Sequence, residues 1–216
     1  MTSSSASEKP TVGTRSMYSP LVEKALRVAV NAHRDQTRKA SDLPYFQHPA
    51  SVVLILARCG FDGDELLAAA VLHDTIEDTE LTVESLMDLF PATVVRLVQE
   101  CTEQKTNSSG EKIPWRARKE AHIALLKNAS TAGRAIVLAD KLHNLGSMVF
   151  DLEDGKETWS HFNAAPDELI WYHRAIVDSA TELPASTSSQ MANRINMLAS
   201  ECRRLINRLA DFARQS

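Results

Sequence analysis

The chain has 216 residues, 44% of them hydrophobic and 24% charged, which suffices for one buried core in an ordinary globular protein. A formal net charge of −4 argues against general binding to nucleic acid or to an anionic membrane surface. No apolar run approaches a membrane span. The three cysteines, Cys59, Cys101 and Cys202, are too scattered for a disulfide framework, which fits a reducing cytoplasm.

Residues 1–16 are rich in Ser and Thr and lack an apolar stretch. They read as a disordered tail rather than a secretory signal. Ser19-Pro20 is a helix start, with Pro at the first helical position, and the apolar spacing predicts a helix over 20–34. A loop over 40–44 leads to a second helix over 50–59, stopped by Gly60. Residues 62–64 cap a third helix over 65–76. Thr82 and Ser85 stand at capping-box spacing and open a short helix that ends before Pro91. A fifth helix covers 91–101. The polar stretch 103–113, with Gly110, is the longest internal loop, and such loops in compact domains are often functional. A helix is predicted over 114–128, a break at Gly133, and a further helix over 134–145. Another runs over 166–179, and 181–188 is a Pro/Ser/Thr linker. The last helix, over 189–214, carries Met191, Ile195, Leu198, Cys202, Leu205, Leu209 and Phe212 in alternating steps of four and three. That is a heptad seam, which fits packing on its own domain or a homodimer. No useful β-alternation occurs, so the expected fold class is all-α.

Chemistry concentrates at the end of the third helix. The apolar run Ala68-Ala69-Ala70-Val71-Leu72 is followed by His73-Asp74, then by Glu77 and Asp78. Residues four apart on a helix share a face, which pairs His73 with Glu77 and Asp74 with Asp78. Charges beside a buried segment need compensation, and a divalent cation supplies it. A second apolar run, 135–139, ends in Asp140, and His48 opens the second helix. His48, His73, Asp74 and Asp140 are therefore the candidate ligands. Two imidazoles and two carboxylates suit Mn²⁺ ahead of Fe or Zn and leave open positions for water and a phosphate oxygen. Glu77 and Asp78 are placed to move a proton. His33, His122, His161 and His173 have no such support and read as structural or surface residues; His143 is a possible outer partner.

Four blocks, His33-x-x-Gln36-x-Arg38-Lys39, Pro44-Tyr45-Phe46-Gln47-His48-Pro49, Leu72-His73-Asp74-Thr75-Ile76-Glu77-Asp78-Thr79 and Leu138-Ala139-Asp140-Lys141-Leu142-His143-Asn144-Leu145, resemble the HD superfamily of metal-dependent phosphohydrolases. More narrowly, they resemble the hydrolase domain of RelA/SpoT-type alarmone enzymes, here as a stand-alone small hydrolase. The resemblance implies a helical HD domain over 17–180 with an additional C-terminal helix over 189–216. It implies removal of the 3′-pyrophosphate from guanosine tetra- or pentaphosphate with one Mn²⁺ per subunit, held by the four ligands above. Glu77 and Asp78 then manage the attacking water. Arg38 stacks on the purine, as a planar cation can. Asn144 and Ser147 lie near sugar and base, Tyr45 lines the pocket, and Lys39, Lys105 and Lys141 meet phosphates.

The chain departs from the long enzymes at Gly146, where they commonly carry Arg, and over 40–43. Both departures are expected near the nucleotide, so adenosine alarmones are an alternative substrate. Two other functions stay open: an HD nucleotide phosphohydrolase that releases phosphate from a 5′- or 2′-position, and a nucleotide-sensing module without turnover.

Overall fold

The structure is a computed structural model that describes residues 17–38 and 42–215. The expected tail over 1–16 and the candidate phosphate contact Lys39 lie outside the described residues. Among those described, all regular structure is helical apart from two isolated bridges, Thr37 with Pro44 and Thr106 with Lys112. The helices are α1 (Pro20–Ala32), α2 (Gln47–Arg58), α3 (Asp64–Leu72), α4 (Thr75–Asp78), α5 (Val83–Met87), α6 (Ala92–Cys101), α7 (Trp115–Lys127), α8 (Thr131–Glu153), α9 (Pro166–Thr181) and α10 (Ser189–Ala213), with a 3-10 turn at Trp159–His161. None is long and apolar enough to cross a membrane.

Two segments form the axis of the bundle. In α3 every residue from Ala68 to Leu72 is fully buried, because α1, α2 and α6 pack around it. The three alanines leave room for close approach by α1, which contributes the fully buried Ala25 and Ala29. In α8 the run 135–139 is likewise buried, covered by α2, α6, α9 and α10. Stop and start signals act as the sequence indicates. Gly60 has φ +86° and lets the Phe61 amide return to the Leu56 carbonyl at 2.9 Å. Thr82 and Ser85 exchange a reciprocal capping pair.

Three expectations need correction. The third helix does not run to 76: it ends at Leu72, and a separate turn of helix starts at Thr75. The Thr75 hydroxyl donates to the Leu72 carbonyl at 2.7 Å, a side-chain bond that competes with helix continuation. Gly133 is no break. It lies in the first turn of α8, where an added Cβ would clash with the Glu100 carboxylate. That carboxylate accepts from the amide and hydroxyl of Ser130, the N-cap, and favourably faces the positive end of the helix. Nor does α8 stop at 145; it continues to Glu153. Gly146 therefore sits in mid-helix facing α10, with Leu205 Cδ1 3.8 Å from where a Cβ would stand. It lines the groove between α8 and α10, so the departure at this position concerns helix packing rather than the nucleotide pocket.

The heptad seam of α10 is buried within the chain. Ile195, Leu198, Cys202, Leu205 and Leu209 are all in the core, and Met191 and Phe212 pack against it. Their neighbours are α8 and α9.

Candidate metal centre and active-site cleft

Three separate elements deliver the candidate ligands. His48 stands in the first turn of α2, His73 and Asp74 occupy the turn after α3, and Asp140 follows the buried run of α8. His48 Nε2 and His73 Nε2 are 3.2 Å apart. Asp74 Oδ2 is 3.4 Å from the first and 3.2 Å from the second. Asp140 Oδ1 is 3.2 Å and 3.9 Å from the same two atoms. Donors about 2.0–2.2 Å from one ion, at right angles, stand roughly 3 Å from each other. The ligand atoms of His48, His73 and Asp74 lie within 4.8 Å of one another, close enough to share one cation, and Asp140 adjoins them through the two imidazoles. Two buried imidazoles, the buried Asp140 and the partly buried Asp74 form a polar cluster that a cation would compensate.

The ring tautomers suit that purpose. The Ala70 carbonyl accepts from His73 Nδ1 at 2.8 Å, which leaves the Nε2 lone pair on the cradle. His48 Nδ1 is 2.7 Å from His143 Nδ1. Burial and the neighbouring His48 and Arg38 push His143 down to about 4, so it stays neutral and accepts the His48 proton. Burial pulls the His73 imidazole down, but Asp74, Asp140 and the Ala70 carbonyl outweigh it and raise it to about 9. Burial would raise Asp74; His73 and His48 hold it well below the usual carboxylate range instead. Asp140 is likewise held low, against burial, by Lys141 and the two histidines.

Above the cradle opens a cleft of about 980 Å³. Asp74, Glu77, Asp78 and Asp140 line it, with Arg38, Tyr45, Lys105, Lys141, Asn144 and Ser147. The fold thus gathers every described member of the expected substrate set around one opening. The turn at His73-Asp74 changes the expected stacking only in part. The Asp78 amide still donates to the Asp74 carbonyl at 2.9 Å, and the Tyr45 hydroxyl spans the pair, 2.6 Å from Asp74 Oδ2 and 3.1 Å from Asp78 Oδ2. His73 and Glu77 turn to different partners. Glu77 Oε2 accepts from the Glu103 amide at 3.1 Å, and Oε1 lies 3.4 Å from Lys105 Nζ. Burial and Asp74 outweigh Lys105 and raise Glu77 to about 7. Asp78 Oδ1 accepts from Lys105.

On the far side, Asn144 links the cradle to Arg38. Its amide nitrogen is 2.5 Å from Asp140 Oδ1, and its oxygen accepts from Arg38 Nη2 at 3.0 Å. The Arg38 guanidinium lies 5.6 Å from the Tyr45 ring centroid. Lys141 Nζ donates to Asp140 Oδ2 at 2.7 Å. Residues that sequence reasoning left without a role also converge here. The Gln36 amide holds the Asp78 carbonyl, and Glu103 with Arg118, Lys119, His122, Tyr172 and His173 forms another wall. Gln36 belongs to a block quoted above. The others come from a polar loop and two helices whose spacing gives no sign of convergence.

These observations define the class. A family model described as an HD domain matches residues 25–160, and the chain belongs to the HD-domain family. Within it, the chain is similar to small alarmone hydrolases. It is 39% identical to the zebrafish (Danio rerio) guanosine-3′,5′-bis(diphosphate) 3′-pyrophosphohydrolase MESH1 over 119 residues, 54% of this chain and 63% of that protein. It is 36% identical to the Xenopus tropicalis protein of the same name over 58% of this chain and 68% of that one. The chain thus spans slightly under two thirds of the zebrafish relative. A solved structure described as a metazoan ortholog of SpoT that hydrolyzes ppGpp superposes with a TM-score of 0.67 at 27% identity, covering 85% of this chain and 96% of that one. A Listeria monocytogenes EGD-e crystal structure gives a TM-score of 0.61 at 31% identity, covering 74% and 99%.

Proposed function

We propose that the chain is a metal-dependent hydrolase that removes the 3′-pyrophosphate from guanosine, or adenosine, tetra- and pentaphosphate alarmones. The observation that carries this reading is the cluster of His48, His73 and Asp74, with Asp140 adjoining, beside a partly buried glutamate raised to about 7, in a cleft that Arg38 and several lysines also line. The names of the MESH1 relatives and of the SpoT ortholog support the substrate class.

His48, His73, Asp74 and Asp140 would hold one Mn²⁺ per subunit. Bound there, the cation would polarise phosphoryl oxygens and acidify water. The chain's own residues supply the rest. Arg38 and Asn144 orient the nucleoside, and Tyr45 fixes Asp74 and Asp78 in one arrangement. Glu77 takes the proton of the attacking water, a task suited to a carboxylate raised towards neutrality. The water oxygen bonds to the 3′-linked phosphorus, and the bond from that phosphorus to ribose O3′ breaks. Glu77 returns the proton to O3′. Pyrophosphate and the nucleoside 5′-di- or triphosphate leave. Asp78, already bound by Tyr45 and Lys105, helps Glu77 to place the attacking water.

A cytoplasmic setting suits the three unpaired cysteines. A homodimer formed through α10 would use its outer face, around the exposed Met197, since the seam lies in the core.

The test is a product assay with purified protein, a panel of divalent metals, and 3′-pyrophosphorylated guanosine and adenosine nucleotides. Pyrophosphate release, strongest with Mn²⁺, is the expected result. Turnover of neither base series would sink the proposal, and orthophosphate as the product would move the chain to another phosphohydrolase class.

A further inference from the structure

Two arms of the cleft diverge from Asp140. One runs through Asn144 to Arg38. The other begins at Lys141, an expected phosphate contact, and ends on α7, whose residues have no task in the reaction described above. Glu103 sits at its centre, its side chain only 4% exposed. Arg118 Nη1 is 2.8 Å from Glu103 Oε1, and Lys119 Nζ is 2.5 Å from Oε2. Lys119 Nζ stands 4.6 Å from the Tyr172 ring centroid and Lys141 Nζ 5.6 Å from the same centroid. Two ammonium groups thus share one aromatic ring inside one cleft.

On this wall three cations, Arg118, Lys119 and Lys141, share two carboxylates, Glu103 and Asp140. Cations gathered on one wall of a cleft favour an anion. Burial and the neighbouring Lys141 pull Lys119 below its ordinary value, as expected of like charges confined together. The imidazoles of His122 and His173 each bury a nitrogen without a hydrogen-bond partner, although both residues line the cleft. His122 Nδ1 is 2.9 Å from the Tyr172 hydroxyl, which ties it to the same wall. Buried polar atoms left over in a native fold call for a ligand or water.

We propose that Lys141, Lys119 and Arg118 form a subsite for the distal phosphate of the substrate's 3′-diphosphate, with Glu103 as the positioning residue that holds Lys119 and Arg118 in place. The assignment rests on the hydrolase reading above and deepens it. A single phosphoryl group at the cradle would reach Lys141, beside Asp140; the cations held beyond it by Glu103 stand where a second phosphate would follow. Ribose and base extend the other way, towards Asn144 and Arg38. Glu103 also donates its amide to Glu77 Oε2, so one residue sets both the base and the subsite. The spacing would favour a diphosphate over a monophosphate at the 3′-position.

Binding rather than turnover tests this. Equilibrium dialysis at fixed free Mn²⁺ compares inorganic pyrophosphate, inorganic phosphate and guanosine 5′-diphosphate on the wild type and on Lys119→Gln. The wild type should prefer pyrophosphate to phosphate. Lys119→Gln should weaken pyrophosphate about tenfold, the scale of one lost charge-assisted bond, and leave phosphate unchanged. Glu103→Gln should lose the same preference while phosphate binding persists, which general loosening of the fold would not produce. Because Lys119→Gln removes a partner from a buried carboxylate, the double variant Glu103→Gln/Lys119→Gln accompanies it and should show the same selective loss. Equal loss of both ions, no loss of either, or loss of guanosine 5′-diphosphate in place of pyrophosphate would overturn the subsite. If the selective loss is seen and no 3′-pyrophosphorylated nucleotide is cleaved, the subsite stands and the hydrolase reading falls.

Discussion

The two buried runs that carry carboxylates into the cradle, α3 and α8, begin alike and end differently. Both bury a five-residue apolar stretch, 68–72 and 135–139. The first then breaks at His73-Asp74, whereas α8 continues through Asp140 to Glu153. The two ends present different groups. His73 and Asp74 both keep right-handed helical dihedrals across the interruption, and their side chains meet with His73 Nε2 3.2 Å from Asp74 Oδ2. In α8, continuity puts Asn144, four residues on, over the same face as Asp140. The break presents two adjacent proposed ligands, while the unbroken helix presents one, with Asn144 bound to it.

Variants that cut into this contrast can be ranked by expected effect. Asp74→Ala removes one of two adjacent ligands. Metal binding and activity should fall together, by more than the roughly 10–100-fold typical of losing an outer partner, as read by metal titration and product assay. Glu77→Gln, beyond the break, should leave metal binding intact and lower turnover by about 10²–10⁴-fold. Its effect on stability has the opposite sign. Glu77 is raised from its ordinary value to about 7, so its ionisation opposes folding progressively from pH 4.5 up to about 7. Metal-free Glu77→Gln should therefore be more stable than the wild type at pH 8, by roughly 1–3 kcal/mol, and equal to it near pH 4. In the wild type the acid limb of kcat/KM should reflect the same group, displaced below 7 by a bound cation; a limb insensitive to Glu77→Gln would reassign the base.

On α8, His143→Ala removes the acceptor for His48 Nδ1 and should weaken metal binding roughly 10–100-fold with little change in saturated turnover. The smallest effect belongs to the start of α8. Gly133→Ala drives a Cβ into the Glu100 carboxylate and should cost about 1–3 kcal/mol by overpacking in a denaturant melt, with the metal site unaltered.

The proposed ligands stood out in the sequence because each follows an apolar run or opens a helix, and the structure brings His48, His73 and Asp74 within 4.8 Å of one another with Asp140 adjoining. The all-α fold was legible from periodicity for the same reason. The break was not, since 65–76 is helix-favouring throughout and the Thr75 hydroxyl bond that ends α3 appears only in three dimensions. Gly133 misled through propensity: a glycine near a helix start reads as a break, yet here a carboxylate from α6 occupies the place of a side chain. The Glu103 wall was invisible because its members come from a loop, α7 and α9, and only the packing of α7 on α9 brings them together. The heptad of α10 was read correctly as a seam, and the neighbours α8 and α9 supplied its partner.

The most direct test is a Mn²⁺ titration, followed by electron paramagnetic resonance, of the wild type beside Asp74→Ala and Asp140→Ala. One tight site per chain, lost equally in both variants, is the expected result, because a broken helix and an unbroken one supply the same ion. Retention of that site in either variant would contradict a single shared centre.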